Sequence, residues 1–171
     1  SAWWPEHVGD DYTPGISGAQ VMHQYRFQTH GPEETGLLAH KLAAQLLPGD
    51  ILAMSGNLAS GKTTFTQGLT AFFEIKEYAL SPTFTYINEY HGEKQDIIHI
   101  DAYRLNSGEE LISMGIWEYF ESGAIVIIEW ADIVAGAIPE DAFGLSFRAV
   151  IGAENSRDIL IHSPRALEIS L

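Results

Sequence analysis

The stretch that most constrains this chain runs from Gly49 to Leu69, GDILAMSGNLASGKTTFTQGL. Ile51-Leu52-Ala53-Met54 is apolar without polar alternation, as suits a strand buried on both faces of a parallel sheet. Gly56-Asn57-Leu58-Ala59-Ser60-Gly61-Lys62-Thr63 then matches G-x-x-x-x-G-K-[ST] at every required position. Helical character follows from Thr64 to about Phe73. Strand, glycine-rich loop and helix in that order make a phosphate-binding loop, because the free N–H groups and dipole at a helix N-terminus attract anions. Gly56 and Gly61 let the backbone approach phosphates closely. Lys62 is expected on the β- and γ-phosphates, Thr63 on the Mg²⁺ that bridges them, and Thr64 on the polar rim. The competing reading is a glycine-rich turn that holds no ligand.

At 171 residues the chain fits one domain able to bury its own core, and 46% apolar with 11% aromatic residues indicates a folded globular protein. The absence of cysteine removes disulfides, thiolate zinc sites and cysteine nucleophiles, and suits a reducing compartment. No apolar run approaches the ~20 residues of a membrane span, and no basic-then-apolar signal segment opens the chain. A cytoplasmic location without membrane association is expected. Nine basic against 23 acidic residues give a net charge of −14, which repels a phosphate backbone. If RNA is served, a partner does the holding.

Residues 1–20 lack periodicity and read as an N-terminal extension or expression remnant; residues 21–171 read as a single phosphate-loop ATPase domain. Val21 to Gln28 alternate as an edge or half-buried strand. Pro32-Glu33-Glu34 opens a helix with an apolar stripe of Leu37, Leu38, Leu42, Leu46 and Leu47, which Pro48-Gly49 ends. Thr83 to Tyr90 and Asp96 to Tyr103 read as a hairpin turning at His91-Gly92-Glu93. Ser107 and Glu110 stand at capping-box spacing, so one helix is expected from Gly108 to about Glu121, closed by Gly123. Ala124 to Ile128 is a second buried strand, ending in Glu129-Trp130. Ala142 to Ile151 and Arg157 to Ser163 suggest a C-terminal hairpin around Gly152 to Asn155.

In open α/β sheets ligands collect outside the carboxyl ends of the strands. Glu129 ends an otherwise apolar strand, where an acid ligates Mg²⁺ directly or through water; the alternative is a charge leaving the core for solvent. Trp130 could wall the site or simply pack. Asp101 shares a strand face with His99 and Tyr103; it could orient an attacking water, with Arg104 on the phosphates, or belong to a surface Tyr–Arg–Asp network. His99 reads as a packed histidine rather than a ligand. Ser81, Thr83 and Thr85 lie where nucleotide-sensing loops place a hydroxyl.

GNLASGKTTF, SPTFTYINEY, HIDAYRL, the Glu109-Glu110-Leu111 to Met114-Gly115 helix and IIEWAD, in that order, resemble the TsaE (formerly YjeE) family from about Tyr25 to Ser163. That family is the ATPase component of bacterial tRNA threonylcarbamoyladenosine biosynthesis. Its loop usually reads G-x-L-G-A-G-K-T-T; here Ala59 and Ser60 replace Gly-Ala, while the required glycines and lysine remain. The resemblance implies a three-layer, phosphate-loop NTPase-like α/β fold with a mixed, largely parallel central sheet flanked by helices. It also implies a weak, partner-stimulated ATPase that binds ATP or ADP with Mg²⁺ and joins TsaB and TsaD. Such a protein supports modification of adenosine 37, reaching tRNA only through the complex and without performing the transfer. Carried onto this chain, Lys62, Asp101 and Glu129 are the catalytic set, and Thr63 and Glu129 the metal set. Asn57, Leu58, Ala59, Ser60, Gly61, Lys62, Thr63, Thr64 and Trp130 are the expected nucleotide contacts; apart from the resemblance, Arg157 is expected to reach the nucleotide from the C-terminal hairpin.

Two other classes stay open on the residues. A small-molecule or nucleoside kinase needs an acceptor site and usually an arginine-rich lid, whereas Arg26, Arg104, Arg148, Arg157 and Arg165 are scattered. A nucleotide-dependent scaffold would bind without hydrolysing.

Overall fold

The computed structural model describes residues 22–76 and 86–171. The expectations for residues 1–20, for Ser81, Thr83 and Thr85, and for the first part of the strand beginning at Thr83 lie outside these residues. Within them, the run read as buried on both faces becomes β2 (Ile51–Ser55), the middle strand of a seven-stranded sheet. On one side of β2 lie β6 (Phe143–Val150), β7 (Ala153–Ser163) and β1 (His23–Thr29); on the other lie β5 (Ile125–Glu129), β4 (Ile97–Asp101) and β3 (Ile87–Tyr90). β6, β2, β5 and β4 run parallel to one another. The β6–β7, β7–β1 and β4–β3 pairings are antiparallel.

Parallel strands carry apolar side chains on both faces, so both faces must be covered. Leu52 and Met54 share a core with Leu38 and Leu42 of α1 (Pro32–Ala43) and with Phe65 and Leu69 of α2 (Lys62–Phe72). Ile51 and Ala53 face the opposite core, with Leu111 of α3 (Gly108–Ser113), Ile116 of α4 (Ile116–Phe120) and Val134 of the 3-10 helix Ala131–Ala137. The expected three-layer arrangement with a mixed sheet is therefore present. No helix among the described residues is long and apolar enough to cross a membrane.

Several boundaries differ from the sequence reading. The helix expected from Gly108 to Glu121 is two helices, because Gly115 takes a φ of 84° that ends α3 and starts α4 on a new axis. Both Leu111 and Ile116 reach the same core as a result. Glu110 does donate its N–H to Ser107, but its carboxylate reaches back to the Asn106 N–H rather than to Ser107. α1 stops at Ala43, so Leu47 falls off the apolar stripe; it is 55% exposed and Leu37 is 49% exposed, while Leu38, Leu42 and Leu46 are buried. The C-terminal hairpin turns at Ile151-Gly152, earlier than expected, and β7 already begins at Ala153.

Phe65 ties the phosphate-loop helix to the sheet. It is fully buried and meets Phe147 of β6 edge-on, with ring centroids 5.3 Å apart. Phe65→Ala is expected to cost about 3–5 kcal/mol of stability. Chemical denaturation measures it; a loss below about 1 kcal/mol would mean that α2 does not depend on this contact.

Candidate functional site: a phosphate cleft

The phosphate loop leaves β2 at Gly56 and enters α2 at Lys62. A Cβ on Gly56 would stand 2.7 Å from the Phe147 carbonyl oxygen, so the loop lies flush against β6 and only glycine fits there. Gly61 caps α2 without a side chain. The N–H groups of the first helical turn therefore open onto the cleft rather than onto a capping oxygen. Ser60 Oγ is buried and has no hydrogen-bond partner among the described residues. Ala59 has a φ of 58°, the left-handed region that costs a non-glycine residue roughly 1–2 kcal/mol. Here Arg157 Nη2 donates to the Ala59 carbonyl at 3.0 Å and braces the loop.

The cleft encloses about 410 Å³. Leu58 to Thr64 form its floor; Asp101, Tyr103, Glu129 and Trp130 close one end, and Gly31, Pro32, Thr35, Asn155 and Arg157 the other. Asp101 and Glu129 are cross-strand neighbours at the ends of β4 and β5. The alternation that sends Ile97 and Ile125 toward α1 and α2 places both acids on the phosphate-loop side of the sheet. Glu129 does not leave for solvent; it is 2% exposed. His99 Nε2 lies 2.9 Å from Glu129 Oε2. Asp101 Oδ1 accepts the Tyr103 N–H at 3.0 Å.

Lys62 sits among these groups. Its ammonium donates to the Gly56 carbonyl and lies 3.8 Å from the centroid of the Trp130 ring, a cation–π contact. Trp130 holds a left-handed φ of 57° and packs on Tyr103 in a tilted contact, with ring centroids 4.9 Å apart. Burial lowers the Lys62 pKa, while Glu129, Asp101 and Asp132 pull it back up. Burial raises the Asp101 pKa; the Tyr103 N–H opposes that, and the neighbouring Glu129 charge adds to it.

The structure thus brings together Lys62, Thr63, Thr64, Asp101, Glu129, Trp130 and Arg157 with the loop residues Leu58 to Gly61. Asn57 is exposed and does not line the cleft, and Arg104 is exposed on the turn after β4, also outside it. β4 ends at Asp101, so Tyr103 reaches the cleft from a turn and not from a shared strand face. Gly31, Pro32, Thr35, Tyr103 and Asn155 also line the cleft and are not among the site residues expected from sequence; Pro32 carries only a helix-start signal.

These residues fit a nucleoside polyphosphate with Mg²⁺. The uncapped helix end and the unpartnered Ser60 hydroxyl supply donors for phosphate oxygens. No group of three or more His, Cys, Asp or Glu among the described residues could hold a metal by itself. A Mg²⁺ here would take phosphate oxygens and water as most of its ligands, with Thr63 and Glu129 from the protein.

The raised Asp101 pKa has a stability cost. A carboxyl that is harder to ionise in the folded chain weakens the fold as pH rises from the unfolded value, near 4, through the folded one. Asp101→Asn is therefore expected to be more stable than the parent at pH 7, with the gap closing as pH falls toward about 4. Denaturation midpoints at the two pH values test this; a gap that persists at the acid end contradicts it.

Residues 29–159 match the family described as "Threonylcarbamoyl adenosine biosynthesis protein TsaE". The tRNA threonylcarbamoyladenosine biosynthesis protein TsaE of Bacillus subtilis is 38% identical over 120 residues, 70% of this chain and 75% of the relative. Its counterpart from Treponema pallidum is 36% identical over 113 residues, 66% of this chain and 82% of the relative. The crystal structure of Bacillus subtilis YdiB superposes with a TM-score of 0.70 at 30% identity, over 86% of this chain and 90% of that one. The family match runs from the end of β1 into β7 and takes in the whole phosphate loop and both acidic strand ends. The chain belongs to the TsaE family of threonylcarbamoyl adenosine biosynthesis proteins.

Proposed function

We propose that this chain is a Mg²⁺-dependent ATPase of low intrinsic rate. It works in the cytoplasm with TsaB and TsaD and supports threonylcarbamoyladenosine formation at position 37 of tRNA without carrying out the transfer. The observation that carries this reading is the convergence of Lys62, Thr63, Asp101 and Glu129 on one cleft, at the N-terminus of α2 and the ends of parallel strands. The lack of cysteine fits a reducing compartment, and a net charge of −14 fits a protein that leaves tRNA to its partners.

In this reading the loop N–H groups and Ser60 hold the phosphates while Lys62 leaves the Gly56 carbonyl and the Trp130 ring for the β- and γ-oxygens. Thr63 and Glu129 would hold a Mg²⁺, which would supply neutralisation of the phosphate charge. Asp101 accepts a hydrogen bond from a water and aims its oxygen at the γ-phosphorus. The new oxygen–phosphorus bond forms as the bond to the bridging oxygen breaks; one proton of the water stays on the phosphate, the other passes to solvent, and ADP and phosphate leave. Arg157 keeps Ala59 in place throughout. Trp130, freed of the ammonium, becomes a reporter of nucleotide state that a partner could read.

Steady-state hydrolysis by the chain alone and with purified TsaB and TsaD tests the proposal, with Lys62→Ala as the blank. Slow turnover that rises with the pair is expected. A rate equal to the blank in both settings would leave a scaffold that binds nucleotide without hydrolysing it. Transfer of labelled phosphate to a metabolite would instead favour a kinase. Asp101→Ala and Glu129→Ala are each expected to lower turnover at least about tenfold, roughly 1.4 kcal/mol of transition-state stabilisation. Folded variants with unchanged turnover would remove those residues from the reaction.

A further inference from the structure

His99 takes no part in the scheme above, yet its ring touches Glu129. It lies on β4, 1% exposed, with Nε2 2.9 Å from Glu129 Oε2. At that distance two lone pairs would repel, so a hydrogen bond joins Nε2 to the carboxylate. The other ring nitrogen, Nδ1, is then left buried without a hydrogen-bond partner among the described residues. Burying an unpaired polar atom costs stability. A histidine kept only for packing has no reason to carry that cost, since an apolar side chain would fill the same space. The ring is oriented for Glu129 at the expense of its own second nitrogen.

We propose that His99 is a positioning residue: its Nε2–H holds Glu129 in the orientation that lets this carboxylate serve Mg²⁺ or a Mg²⁺-bound water beside Thr63. The inference rests on the ATPase reading and adds to it the group that sets the metal-side carboxylate. Partners of this kind, one step removed from the metal, change metal affinity or activity by about 10–100-fold when lost.

The test uses the full chain. In ligand-free wild type, ¹⁵N NMR of His99 is expected to show a proton on Nε2. Two substitutions separate hydrogen bonding from filling space: in His99→Gln the amide nitrogen reaches the place of Nε2, whereas in His99→Asn it stops at the place of Nδ1. ADP titrations with and without Mg²⁺ are run on each. Both variants are expected to bind ADP in EDTA as wild type does. His99→Asn is expected to need about tenfold more Mg²⁺ for tight binding and for hydrolysis, and His99→Gln to recover to within about twofold. A ring without a proton on Nε2, a folded His99→Asn with wild-type Mg²⁺ dependence, or a His99→Gln no better than His99→Asn overturns the proposal. If neither variant folds, the proton position in wild type decides. Those results leave the ATPase reading intact; wild type that gains nothing from Mg²⁺ would instead overturn that reading, and the role of His99 with it.

Discussion

No side chain fits at Gly56, and the rest of the site follows from that. The chain leaves β2 pressed against the Phe147 carbonyl of β6, which turns it at once into the phosphate loop. The direction of that turn sets where α2 begins, and Phe65 packing on Phe147 pins the helix to the same strand. Lys62 is then delivered over the ends of β2 and β5, within reach of the Gly56 carbonyl and the Trp130 ring. A close backbone approach thus ends a buried strand in a loop that delivers an uncapped helix N-terminus to the cleft.

The second constraint is charge at the edge of a dry sheet. Glu129 and Asp101 end strands whose other side chains are almost wholly buried, and they sit side by side. Burial makes Asp101 harder to ionise; the Tyr103 N–H, the His99 ring and Lys62 offset part of that cost. Ala59 and Trp130, both in left-handed backbone, add local strain held by Arg157 and by packing on Tyr103. Stability given up in one place on this scale marks a functional site more often than a structural one.

The local features were legible because they depend on neighbours in sequence. The loop spacing, the two apolar strands, the acid at the end of β5 and the hairpins all follow from residues within about a dozen positions of one another. The break at Gly115 was not, because a glycine inside an amphipathic pattern ends a helix only when the two halves have different places to pack. Nor were Gly31, Pro32 and Thr35 as cleft residues, since they come from the turn into α1 and meet the loop only when α1 lies beside α2. Asn57, inside the motif, is exposed and does not line the cleft, for the motif specifies the glycines and lysine and leaves the intervening side chains free.

His99 marks the division most clearly. By itself the sequence determined that a phosphate loop stands between a buried strand and a helix, that acids end two later strands, and that the family is TsaE; these rest on spacing and on backbone demands that few residue types meet. Only the tertiary structure decided which of those groups touch. Parallel pairing of β4 with β5 brings His99 to Glu129 and Glu129 beside Asp101 across about thirty positions of chain, and the packing of α2 against β6 sets Lys62 above them. Register between distant strands is a property of the whole sheet, and no local pattern of residues carries it.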